Sequence, residues 1–192
     1  MAMLDLRLRE FLDEIASEGR TPGGGSVAAL VSAAAAGLLA KIARASKDGW
    51  AEAPGIAAQA ESLRDRAAPL VQADAEEYEA ALTAHADSGE ESTERRDFAV
   101  GRAYARAAEP PLRIVEAAAD VAQLSVIVVR NGDPSLRADA AAAGALAAAA
   151  ARAAAELVAV NLTASPDDQR ELRARALAGD AARAADEAFA GG

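Results

Sequence analysis

The chain has 192 residues, of which 52% are hydrophobic and 3% aromatic; it has no cysteine and a net charge of -10. That hydrophobic fraction excludes a disordered tail. The acidity argues against nucleic acid or an anionic membrane as partner, and without cysteine there is no disulfide framework and no thiolate chemistry.

Leu4, Leu8, Phe11, Leu12 and Ile15 recur at helical spacing and predict a first amphipathic helix ending at Gly19. Its charged, amphipathic start lacks the basic-then-apolar order of a secretory signal, so a cytoplasmic protein is expected. Thr21-Pro22-Gly23-Gly24-Gly25-Ser26 then interrupts the chain. From Ser26 to about Ser46 the sequence is small and apolar all round until Lys41, as expected of a helix at the centre of a bundle or in a dimer interface. Residues 21 to 40 carry no charge, but Pro22, the glycines and the alanines make the stretch too broken and too weakly apolar to span a bilayer.

GWAEAPG, residues 49 to 55, is a break, after which Pro54 opens a long helix through Leu63, Leu70, Tyr78 and Leu82, with a kink expected at Pro69. Residues 85 to 92 form a polar connection in which His85, the only histidine, reads as solvated. A helix from Thr93 to Ala108 follows. Pro110-Pro111 starts another that includes the β-branched SVIVVR; with no partner strand in the chain, that run is read as helical. Asp133 or Ser135 can cap a long helix from Leu136 to about Leu162, charge-poor after Asp139 and again central. Ser165-Pro166-Asp167-Asp168 opens the last helix, to Phe189. The expectation is one all-α domain over residues 1–192: a bundle of six or seven helices with long alanine-rich central ones. Alanine buries little area per residue, so burial against a second copy would help, and a homodimer is expected.

Two breaks precede the two central helices, and each offers unpaired N-terminal amides that suit an anionic group. The alternative for TPGGGS is a tight turn with Ser26 as a cap. Asp139, among small residues in a stretch expected to be buried, suits a general acid or base, but taken alone it fits better as a helix-dipole partner or in an ion pair with Arg137 or another arginine. Asp74 can share a face with Tyr78, although the cluster it forms with Glu76, Glu77 and Glu79 also fits a solvated face. Lys41, Arg44 and Lys47 are the best local positive patch.

TPGGGSVAAL preceded by FLDEIASEG resembles the opening of the cyclodeaminase domain of the formiminotransferase-cyclodeaminase family, which includes stand-alone methenyltetrahydrofolate cyclohydrolases. DAEEY at Asp74–Tyr78, EPPLRIVEAA around Pro111-Leu112, Gly132 to Asp139 and Val160-Asn161-Leu162 continue the resemblance over nearly the whole chain. The family's second motif usually reads like GNPNxxSD; this chain has GDPSLRAD there, and Gln72 stands where an acidic residue is common. The resemblance implies an all-helical homodimer with a folate cleft near the glycine loop and no metal or other cofactor. It implies either cyclodeamination of 5-formiminotetrahydrofolate or hydrolysis of methenyltetrahydrofolate. Asp139 would transfer protons, while Pro22, Gly23, Gly24, Gly25, Ser26, Lys41, Asp74, Gly132 and Asp133 would contact a tetrahydrofolate derivative. A helical binding protein that kept the fold and lost the chemistry is the reading from another class.

Overall fold

A computed structural model describes residues 2–86, 93–163 and 167–190, and among them there is no strand. The helices are α1 (Leu8–Ile15), α2 (Gly24–Ala45), α3 (Ala53–Ala67), α4 (Leu70–Ala86), α5 (Thr93–Ala107), α6 (Glu109–Asn131), α7 (Arg137–Asn161) and α8 (Gln169–Ala190). All seven after α1 have fifteen residues or more. The expected all-α bundle with long alanine-rich central helices is therefore present. One element divides where a kink was expected: the helical hydrogen-bond ladder is interrupted between Ala67 and Leu70, around Pro69, giving α3 and α4, while Ala68 keeps helical φ and ψ. Proline has no N–H to continue the ladder, and its ring crowds the carbonyl four residues back.

α6 begins where prolines are harmless, with Pro110 and Pro111 in its first turn. Its β-branched end stays helical because Val126, Val128 and Val129 are buried in the core while Ile127 faces out, a helical pattern rather than an alternating one across a sheet. α6 packs mainly on α7 and α8, and α2 packs on α3, α7 and α6. Gly24 at the start of α2 lies beside Leu157 near the end of α7. At the other end of α2, Ser46 Oγ accepts from the Asp133 N–H at 2.8 Å, just before α7. The two central helices are therefore antiparallel neighbours. By length and composition alone α2 and the segment Pro134–Asn161 could cross a membrane, but they are 61% and 44% buried inside the bundle.

The ends are held by specific contacts. α1 docks through Phe11, whereas Leu8 and Leu12 are exposed, and α1 stops at Ile15 rather than Gly19. Asp133 caps a single 3-10 turn, Pro134–Leu136, through the Ser135 N–H before α7 starts. Asp168 accepts from the Arg170 N–H at 2.9 Å at the start of α8; Ser165 and Pro166 of the expected start lie outside the described residues, as do residues 87–92 of the polar connection. The Arg170 guanidinium bridges Asp168, Glu109 and the Ala105 carbonyl, joining the starts of α8 and α6 to the end of α5.

α6 and α7 approach so closely that a Cβ on Gly144 would stand 2.3 Å from Ser125 Oγ and 3.0 Å from its Cβ. Glycine-to-alanine in a helix otherwise gains about 1 kcal/mol. Gly144→Ala should instead destabilise by ~1–3 kcal/mol in urea unfolding, and Ser125→Ala should recover part of the loss. A stabilised Gly144→Ala would refute the close crossing.

Candidate functional site

The glycine loop is a contact surface for a carboxylate. Pro22 is buried behind a cis Thr21–Pro22 peptide, and Gly23 is the extended residue ahead of α2, with φ -118° and ψ -160°. Only one of the three glycines is sterically demanded. A Cβ on Gly25 would lie 2.0 Å from Asp74 Oδ1 and 2.5 Å from Oδ2, so the carboxyl rests directly on the Gly25 backbone. A Cβ on Gly24 would meet Leu157 at an ordinary 3.8 Å, and one on Gly23 would meet nothing within 4 Å. Ser26 is fully buried, and its hydroxyl donates to Asp74 Oδ2 at 3.4 Å. The Ser26 N–H also donates to this carboxyl. Asp74 thus caps α2 from α4. Within helix geometry the N–H groups of Gly24 and Gly25 have no internal acceptor, and Gly23 has no side chain to supply one.

Burial raises the Asp74 pKa above the ordinary carboxylate value; the Ser26 side-chain and backbone hydrogen bonds oppose that shift without cancelling it. The carboxyl borders a hollow of about 280 Å³ lined by Arg20, Thr21, Gly23, Gly24, Gly25, Asp74, Tyr78, Leu157, Val160 and Asn161. Asn161 is held by donation from its side-chain amide to the Ala107 carbonyl at 2.8 Å. A wider hollow of about 660 Å³ shares Thr21 and continues along α4 past Gln72, Glu76 and Glu79. In the smaller hollow Arg20, Thr21, Asp74, Tyr78 and Asn161 set polar groups among the glycine backbone and the apolar Leu157 and Val160, a mixture that suits a small molecule.

A separate hollow of about 540 Å³ lies at the far end of α2, lined by Ala45, Ser46, Asp48, Gly49, Asn131, Gly132, Asp133 and Pro134. Here Gly132 is also a close-contact glycine: a Cβ would stand 2.6 Å from the Val128 carbonyl oxygen and 3.3 Å from Ser46 Oγ. Asp133 is exposed, and its hydrogen bonds from Ser135 lower its pKa.

The structure therefore brings together Pro22, Gly23, Gly24, Gly25, Ser26 and Asp74, with Pro22 and Ser26 behind the hollow and the others on its wall. Gly132 and Asp133 lie at the other end of the bundle. Lys41 is exposed on α2, about 26 Å along the helix from Gly24, and lines neither hollow. Asp139 also lines neither, and the expectation that it is buried needs correction: it is exposed. Alanine surrounds it in sequence, but its edge of α7 faces away from the core. Sequence reading missed Arg20, Leu157, Val160 and Asn161 as wall residues. Val160-Asn161 was visible only as a motif fragment, with no role attached.

A family model described as formiminotransferase-cyclodeaminase matches residues 7–178. The chain belongs to that family. Formiminotetrahydrofolate cyclodeaminase from Thermotoga maritima has a similar fold, with a TM-score of 0.84 and 24% identity over 96% of this chain and 94% of that one. No curated protein sequence matches. For this family member the glycine loop is explained first by packing against Asp74 and second by the Gly24 and Gly25 N–H groups, which have no acceptor within the helix.

Two outcomes test this geometry. Gly25→Ala should push the Asp74 carboxyl off the loop and destabilise by ~1–3 kcal/mol, whereas Gly23→Ala should cost far less. Because Asp74 is raised in the folded state, the folded protein holds the extra proton between the unfolded and folded pKa values. Stability contributed by that proton is full below the unfolded value and is lost as pH rises through the folded value. Denaturant titrations of Asp74→Asn across that window should lack this fall, which wild type shows. Identical pH profiles would show that Asp74 is not perturbed.

Proposed function

We propose that this chain is a formiminotetrahydrofolate cyclodeaminase whose proton-transfer group is Asp74 in the glycine-loop hollow. One observation carries the reading: a partly buried carboxyl of raised pKa sits at a helix N-terminus, on the wall of a groove, in a chain of this family. A raised pKa makes the carboxylate a stronger base at neutral pH and a usable acid once protonated.

In the proposed reaction N10 of the folate attacks the protonated formimino carbon attached to N5. The N10–carbon bond forms as the N10 proton passes to Asp74. Asp74 then returns a proton to the former imino nitrogen, whose bond to carbon breaks, and ammonia leaves. The product is the 5,10-methenyl cation, and the charge balances without a redox step. Ser26 orients the carboxyl through its hydroxyl and N–H. The N–H groups of Gly24 and Gly25 suit a folate oxygen. Arg20, the only cationic side chain on the wall of this hollow among the described residues, suits the glutamate carboxylate of the substrate.

Wild-type protein is expected to convert 5-formiminotetrahydrofolate to the methenyl product with stoichiometric ammonia. Asp74→Asn should lower kcat by about 10²–10⁴ while folinic acid, a stable 5-substituted folate, still binds. Hydrolysis of methenyltetrahydrofolate without cyclodeamination would assign the cyclohydrolase reaction instead. Absence of both activities together with no folinic acid binding would leave a helical binding protein.

A further inference from the structure

Positive charge is concentrated on α5 of this acidic chain: over residues 95–106, Arg95, Arg96, Arg102 and Arg106 stand against Asp97 alone. Arg95, Arg102 and Arg106 follow at seven and then four residues, two turns and then one. They therefore fall within about 20° of a single line running about 17 Å along the helix. All three are exposed, because α5 docks on Ala81 of α4 through Ala103 and Ala107, about a quarter-turn or more round the helix. Elsewhere arginines sit on carboxylates, as Arg66 does on Asp120, Arg130 on Glu187 and Arg173 on Glu116. Among the described residues none of Arg95, Arg102 and Arg106 has a carboxylate partner, and Arg96 has only Asp97, at 3.7 Å. Beside the line stands Phe98, one of three phenylalanines in the chain. It is 68% exposed, with the Arg102 guanidinium 5.8 Å from its ring centroid.

We propose that the outer face of α5 is a docking surface for an acidic peptide segment of another protein, whose carboxylates bond Arg95, Arg102 and Arg106 while an apolar side chain covers Phe98. Charge complementarity carries the choice of partner. An unpaired guanidinium presents a fork of N–H donors that matches a carboxylate two bonds at a time. Like charges one and two turns apart on a helix repel each other, and one anionic segment relieves all three together. An exposed aromatic ring beside arginines is the composition from which binding hot spots are built. The footprint favours a short peptide over larger polyanions. A line of about 17 Å spans roughly five residues of extended chain. Such a segment stays within about one Debye length, ~8 Å, of the arginines that hold it. A nucleic acid or an anionic bilayer extends past the stripe and meets the rest of a chain of net charge -10. A helix lying in a membrane surface also needs an apolar face, whereas Phe98 has Arg95, Ala99 and Arg102 beside it.

The surface is tested without substrate, on the full chain. The probe is a fluorescein-labelled peptide of alternating glutamate and aspartate around one central tryptophan, titrated by fluorescence anisotropy at low salt. Wild type should bind it saturably, and the affinity should fall as salt rises. Arg102→Glu/Arg106→Glu should weaken binding at least about tenfold. Arg130→Glu/Arg183→Glu changes the net charge by the same amount on α6 and α8, and should change the affinity by less than about twofold. Phe98→Ala should weaken binding about threefold and leave its salt dependence as in wild type.

No saturable binding by wild type that is helical in circular dichroism would overturn the proposal. Equal weakening by the two charge-reversed pairs would overturn it as well, since net charge rather than the α5 stripe would then set the affinity. A competition experiment separates the polyanions. Phosphatidylglycerol vesicles and a single-stranded oligonucleotide, each at a charge concentration equal to that of the peptide, should leave the peptide bound. Displacement by either, through the same two arginines, would assign the stripe to that polyanion and sink the peptide reading. None of these readouts depends on whether the chain is a cyclodeaminase.

Discussion

Close approach of helix backbones is the constraint on which the rest of this structure depends. α2, α6 and α7 meet through alanine, glycine and serine: Ala29, Ala36, Ala118, Ala122, Ala147 and Ala154 are all essentially inaccessible. Such side chains each bury little apolar area, so stabilisation by transfer is small per residue and must be collected over long, close contacts. Leu39, Ile42, Ile114 and Leu124 are among the largest of the fully buried side chains. Tight packing also makes the chain intolerant of volume at chosen places, which is why Gly144 of α7 stands against Ser125 of α6.

The same constraint creates the site. At Gly25 the close neighbour is the carboxyl of Asp74 rather than another helix backbone. Nearness to α2 buries that group, and burial raises its pKa, while Ser26 supplies enough hydrogen bonding to keep it in place. A side chain larger than glycine would separate the carboxyl from the helix N-terminus and return it to water. Packing and chemistry thus place demands on one residue, and neither alone accounts for the loop.

Helix order was readable from sequence because breaks are local. Pro54, Pro110-Pro111, Asp133-Pro134 and Asp168 mark starts by mechanisms confined to one turn. Pro69 predicts a kink, and the helical ladder is interrupted there. Which face of a helix is buried is a different matter in an alanine-rich segment. On α7, Ala140, Ala141 and Ala143 are buried, whereas Ala138 and Ala142 are exposed, so composition carries no contrast between core and surface. For that reason the sequence alone predicts a buried Asp139, whereas it is exposed. Asp74 was legible as a residue sharing a face with Tyr78, but its contact with Gly25 spans 49 positions and depends on how α4 crosses α2. Arg20 and Asn161 join the hollow through tertiary placement alone.

Charge sets the remaining boundary on function. A chain of net charge -10 offers no long-range attraction to an anionic folate. Over distances beyond a Debye length, about 8 Å at physiological salt, that repulsion is largely screened. On the proposed reading, recognition is therefore short-range, made by the groups that wall the hollow. Arg20 is the cationic group on that wall, and Leu157 and Val160 supply apolar surface beside it. Lys41, which composition singles out as the cation of α2, lies outside screening range of that wall. An acidic protein can hold an anionic substrate only where its own carboxylates are satisfied by neighbours, as Asp74 is by Ser26, or turned away from the ligand. Arg20 and the Ser26-bonded Asp74 carboxyl, on the wall of one hollow, meet that condition.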